Sequence, residues 1–84
     1  MLAAKVVDNI WSTRKDEALV GLKFLMVRLL DGTDQLVIAA DTIGAGIGER
    51  VILCGGSSAR KLMGLDNTPV DSVVIGIIDE DCQF

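Results

Sequence analysis

Two stretches of this chain carry residue types that can hold an anion. Gly44-Ala45-Gly46-Ile47-Gly48 has the composition of a phosphate cradle, and Gly55-Gly56-Ser57-Ser58 has that of a helix start whose free amides face a ligand. The first lacks the spacing that cradling a dinucleotide requires. Its glycines alternate and do not fit G-x-G-x-x-G, and Val51-Ile52-Leu53 reads as a strand, not as a helix opening toward a pyrophosphate. A loop needing left-handed backbone or close approach, which glycine allows without steric penalty, accounts for it better. The second stretch is the stronger anion candidate because Ser57, Ser58, Arg60 and Lys61 add hydroxyls and cations. It nevertheless lacks the G-x-x-x-x-G-K-S/T spacing of a phosphate loop, and helix capping alone explains the serines.

Other chemistry is thinly supplied. The chain has no histidine, which removes the commonest general base and the commonest zinc ligand together. Asp41, Glu49 and the Asp79-Glu80-Asp81 run show no spacing that demands a catalytic pair. Cys54 closes an aliphatic strand pattern and reads as buried and inert. Cys54 and Cys82 are too few for a disulfide framework, so reduced thiols in the cytoplasm are expected. Catalysis, a cofactor and a bound metal are therefore not expected. A net charge of −4, one Trp, two Phe and no Tyr argue against nucleic acid, which needs cations for phosphates and rings for bases.

The elements that position these residues are short. Ala3–Thr13 reads as a strand with imperfect alternation, and the charged stretch Arg14–Ala18 as a loop. Leu22–Leu30 is apolar on both faces apart from Lys23 and Arg28, so packing on two sides is expected. Asp31-Gly32-Thr33-Asp34 has turn chemistry and makes Leu36–Ala40 the return strand of a hairpin. Arg50–Cys54 is a fourth strand. A short helix capped by Ser57 or Ser58 follows, with Ala59, Leu62 and Met63 on one face and Gly64 at its end. Asp66-Asn67-Thr68-Pro69 reads as a turn, and Val70–Ile78 as the last strand. The expectation is one mainly β domain over residues 1–84: a small five-stranded barrel, like an oligonucleotide-binding (OB) barrel, with one short helix between the fourth and fifth strands.

Eighty-four residues with half of them apolar cannot hide every aliphatic side chain in one small interior. The apolar runs Phe24–Val27 and Val73–Ile78 fall far short of the ~20 residues that span a bilayer, and no secretory signal is visible. Surplus apolar surface without a membrane segment points to burial between subunits.

The order of motifs resembles the vertex proteins of bacterial microcompartments, the group that includes carboxysome and ethanolamine-utilisation members. The pieces are Ala4-Lys5-Val6-Val7, Ser12-Thr13-Arg14-Lys15, Leu19-Val20-Gly21-Leu22-Lys23-Phe24-Leu25-Met26-Val27, Asp41 to Glu49, Gly56 to Arg60, Pro69-Val70-Asp71 and Val74 to Asp79. Asp8 and Arg50 depart from the family pattern, which commonly has Gly and a larger apolar residue there. The resemblance implies a homopentamer that plugs five-fold vertices beside hexameric shell proteins, in the shell within the bacterial cytoplasm. It implies neither nucleic acid nor membrane as partner. It also implies that Asp41, Gly44, Ala45, Gly46, Gly48, Glu49, Gly56, Ser57, Ser58 and Arg60 serve subunit packing around the axis. The alternative reading is a small OB-like module that binds an anion or oligonucleotide.

Overall fold

The structure is a computed structural model and describes residues 1–62, 64 and 68–84. Five strands close into a barrel: β1 (Leu2–Ile10), β2 (Lys23–Leu29), β3 (Leu36–Asp41), β4 (Arg50–Gly55) and β5 (Ser72–Ile77), in the order β1-β2-β3-β5-β4. One helix, α1 (Gly56–Leu62), lies between β4 and β5, as expected from the sequence. Closure pairs β1 with β4, antiparallel, so the sheet leaves no free edge. β3 and β5 run parallel through a short contact, Ala40 opposite Val73 and Asp41 opposite Val74. No helix among the described residues is long and apolar enough to cross a membrane.

Inward and outward positions follow the two-residue period of a strand. Ala4 and Val6 of β1, Leu25, Val27 and Leu29 of β2, Ala39 of β3, Val51 and Leu53 of β4 and Val74 of β5 form the core inside the barrel. A second cluster lies on the outside, where Ala40, Val70 and Val73 are buried under Leu19, Leu22, Phe24, Cys54 and Ile75. This cluster explains why β2 is apolar on both faces. Phe24 points outward into it, while Leu25 and Val27 point into the barrel. The outward side of β2 is only half-buried, at Phe24 and Met26, so the two-sided packing expected of this strand is incomplete.

Several boundaries differ from those expected. β1 stops at Ile10 instead of reaching Thr13, and its imperfect alternation is a bulge: the register shifts between Val6 and Asp8, leaving Val7 without a partner. Asp16 accepts from the Ala18 amide at 2.9 Å and caps a 3₁₀ turn over Glu17–Leu19, where a plain loop was expected. β5 begins at Ser72, because Val70 is taken into the outer cluster. α1 begins at Gly56, so Ser57 and Ser58 lie within its first turn, exposed, instead of preceding it as caps. Cys54 is half-buried, since it faces the outer cluster and not the barrel interior. The side chains of Ala59 and Leu62, on which the expected apolar face depends, are not described, and Met63 and the Asp66-Asn67 part of the expected turn lie outside the described residues.

Candidate functional site

The residues between Asp41 and Glu49 form a lid over the barrel core. Asp41 ends β3 with only 5 % of its surface exposed. Its Oδ1 accepts from the Ile43 amide at 3.1 Å and its Oδ2 from the Ala45 amide at 3.0 Å. Lys23, directly opposite on β2, brings its ammonium to 3.7 Å from Oδ2. A buried carboxylate would be costly without partners; two amides and a cation stabilise this one. The consequence is that Ala45, 2 % exposed, packs into the core beside Val6 and Leu25.

The other half of the lid is tied to β1. The Gly46 amide donates to Glu49 Oε1 at 2.6 Å, and the Glu49 amide donates back to the Gly46 carbonyl at 3.1 Å. Gly48 donates to the Val6 carbonyl and Val6 to the Glu49 carbonyl, both at 2.9 Å, next to the β1 bulge. Gly44 and Gly48 have φ of +85° and +88°, a conformation that side chains rarely tolerate. Gly46 has no such φ; a Cβ there would come within 3.1 Å of Glu49 Oε1, so close approach explains it. The amides at Ala45, Gly46 and Gly48 are thus occupied from within the chain. No ring of free amides remains among them to cradle a phosphate.

Gly56, Ser57, Ser58 and Arg60 lie at the far end of β4, on α1. The Gly56 amide donates to the Asp71 carbonyl at 2.9 Å, and Arg60 donates through Nη1 to the Val70 carbonyl at 3.1 Å. Arg60 therefore fastens the helix to the segment that enters β5. The ten residues expected to act together fall into two groups, Asp41–Glu49 over the core and Gly56–Arg60 on the helix. Among the described residues, no three His, Cys, Asp or Glu side chains gather in a way that could hold a metal.

The sequence reading missed Lys23 as the partner of Asp41, and it missed Arg50. Arg50 donates through Nη2 to the carbonyls of Asp79, at 3.0 Å, and Cys82, and its guanidinium stacks 4.6 Å from the Phe84 ring centroid. This one side chain holds the segment 79–84 against the start of β4. Neither pairing had a signal in spacing, because closure of the barrel is what makes the partners neighbours.

Comparison with known proteins fits this architecture. The family model "Ethanolamine utilisation protein EutN/carboxysome" matches residues 1–79. The chain belongs to the EutN/CcmL family. It is 42 % identical over 83 residues to the carboxysome shell vertex protein CcmL of Gloeobacter violaceus, covering 94 % of this chain and 83 % of that one. It is 45 % identical over 85 residues to the microcompartment shell vertex protein GrpN of Rhodospirillum rubrum, covering 94 % and 93 %. Among solved structures, a pentameric shell protein from the RMM microcompartment superposes with a TM-score of 0.87 at 38 % identity, covering 100 % of this chain and 96 % of that chain. The closed barrel therefore belongs to a family whose curated relatives are named as shell vertex proteins, and the resemblance stated from the motifs holds.

Proposed function

We propose that this chain is a structural shell protein that assembles as a homopentamer and closes the five-fold vertices of a bacterial microcompartment. It works beside hexameric shell proteins in the cytoplasm and carries no catalytic activity. One observation supports this reading above the others: a relative described as a pentameric shell protein matches over the entire chain at a TM-score of 0.87. The surface agrees with burial between subunits, since Ile38, Leu36, Ile43 and Ile47 are all exposed on the isolated chain. In this reading the lid from Gly44 to Glu49 and the helix start from Gly56 to Arg60 lie where copies pack around the axis. The lid is rigid enough for that role, being fixed by Asp41, Glu49 and the β1 backbone.

Native mass spectrometry at micromolar concentration tests the proposal. A five-chain species is expected, and a stable monomer would overturn it.

A further inference from the structure

A ring of identical subunits needs two different surfaces on each copy, one fitting the other. The chain carries two surfaces of complementary charge, each mixed with exposed aliphatic side chains. The first is the outward face of β1, β2 and β3. Strand register places Met26 opposite Ile38 and Arg28 opposite Leu36, with Lys5 opposite Arg28 on the other side. All of these point away from the barrel core, because their neighbours Val6, Val27, Val37 and Leu29 pack toward it. Ile38 and Leu36 keep 50 % and 48 % of their surface exposed. Asp8, opposite Met26, is the carboxylate on this face; its edge is basic, since Lys5 also lies opposite Arg50 of β4. Arg50 is engaged within the chain, but Lys5 and Arg28 repel one another across the strands, an arrangement that favours an external anion. Arg28 keeps donors for one beyond its Nη1 bond to the Asp34 carbonyl at 3.2 Å.

The second surface is the acidic end of β5. Glu49, Asp79, Glu80 and Asp81 line a shallow depression together with Ile77 and Ile78. It is held in shape from within. Ile78 donates to the Arg50 carbonyl at 2.8 Å, and the Asp81 amide donates to Asp79 Oδ1 at 2.8 Å. Arg50 contributes no carboxylate pairing here: its guanidinium is taken by main-chain carbonyls and the Phe84 ring. Among the described residues the carboxylates of Glu80 and Asp81 make no ion pair.

We propose that the β1–β2–β3 face, centred on Met26, Ile38 and Leu36 and edged by Arg28, docks onto the acidic β5 end of a second copy. The charge complementarity selects this occupant, since the same chain supplies both the basic and the acidic surface. The contact is heterologous, so repeating it generates a ring or an open chain of copies and not a closed two-fold pair. The inference rests on the pentamer reading above and assigns the faces that build it. It places the main apolar contact on strands and leaves the glycine lid beside it.

Reversal of charge on the full chain tests the assignment, read by native mass spectrometry over a dilution series, with melting followed by circular dichroism. Arg28→Glu sets a carboxylate opposite Lys5 but gives up the Arg28 bond to the Asp34 carbonyl at 3.2 Å. Its melting in the dissociated state is therefore compared with that of the dissociated wild type, and equal melting assigns a weakened assembly to the contact. Arg28→Glu and Glu80→Lys are each expected to raise the dissociation concentration about tenfold, and the double variant to recover most of that loss. Ile38→Asp, on an outward and half-exposed position, is expected to dissociate the ring while circular dichroism still shows the strand structure of the wild type, with melting that matches the diluted, dissociated wild type. A ring unchanged by Ile38→Asp, or a double variant no tighter than the weaker single one, overturns the assignment while leaving the pentamer standing. A wild-type monomer overturns both.

Discussion

Asp41 and Glu49 act at opposite ends of the same lid, and each satisfies amides that a turn would otherwise leave unpaired. Asp41 is the more buried, so its loss should be felt most. Asn in its place keeps one oxygen for two amides and loses the charge that attracts Lys23. Asp41→Asn should destabilise the fold by about 1–3 kcal/mol, seen as a lower urea midpoint at unchanged slope. Gly48→Ala has open space for its methyl but meets a φ of +88°, and should cost about 1 kcal/mol in the same assay. Gly46→Trp drives its ring toward Glu49 and the packed lid. It is expected to abolish the five-chain species in native mass spectrometry while circular dichroism still shows strand structure. Normal pentamers from that variant would remove the lid from the subunit contact. Asp31, in the β2–β3 turn, is a separate residue-scale case. The Thr33 hydroxyl donating to Oδ1, and then the Thr33 amide, hold its carboxyl below the usual aspartate range. Because the folded value is lowered, its contribution is present above the ordinary aspartate value and is lost as pH falls through the folded one. Carboxyl NMR titration should therefore find Asp31 titrating below a free aspartate, and Thr33→Ala should move its midpoint upward.

At the scale of elements, two devices act on β4. Its start is clamped by Arg50 to the segment 79–84, and its end is joined to α1, which Arg60 fastens to Val70. Arg50→Ala removes both the carbonyl contacts and the ring stacking. It should speed amide exchange at Cys82, whose N–H donates to the Asp79 carbonyl at 3.0 Å, and leave exchange in β2 unchanged. Equal protection in wild type and variant would mean that the segment is ordered by something other than Arg50. The bulge at Val7 matters for the same strand economy. By turning one residue out of register it lets Val6 bond to both Gly48 and Glu49 of the lid while β1 still pairs with β2.

For the whole molecule, burial and closure decide between a self-sufficient monomer and a subunit. The interior is built from small and branched aliphatic side chains, with no aromatic ring inside the barrel cluster. Such a small core leaves limited stability to the isolated chain, so assembly should contribute a visible share. The melting temperature is accordingly expected to rise with protein concentration, and to lose that dependence in the Ile38→Asp variant. Concentration-independent melting of the wild type would show that folding and assembly are not coupled.

Much of this was legible in the sequence, and the reasons are local. Asp31-Gly32 marks the hairpin, the aliphatic runs mark the strands, Gly55-Gly56 breaks β4, and the ordered motifs from Ala4 to Asp79 identify the family. The excess of aliphatic residues over what a small barrel can bury pointed outward to other copies before any fold was known. Other features depended on long-range closure. Lys23 meets Asp41, Ala45 enters the core, Arg60 turns to Val70 and Arg50 collects the carbonyls near Phe84 only because the strands join in the order β1-β2-β3-β5-β4. Composition and motif order thus determined what kind of protein this is. Register determined which side chains face inward and which face outward, and that the Gly46 and Gly48 amides of the lid are occupied from within, because a strand's two-residue period assigns a face only once its partner is fixed.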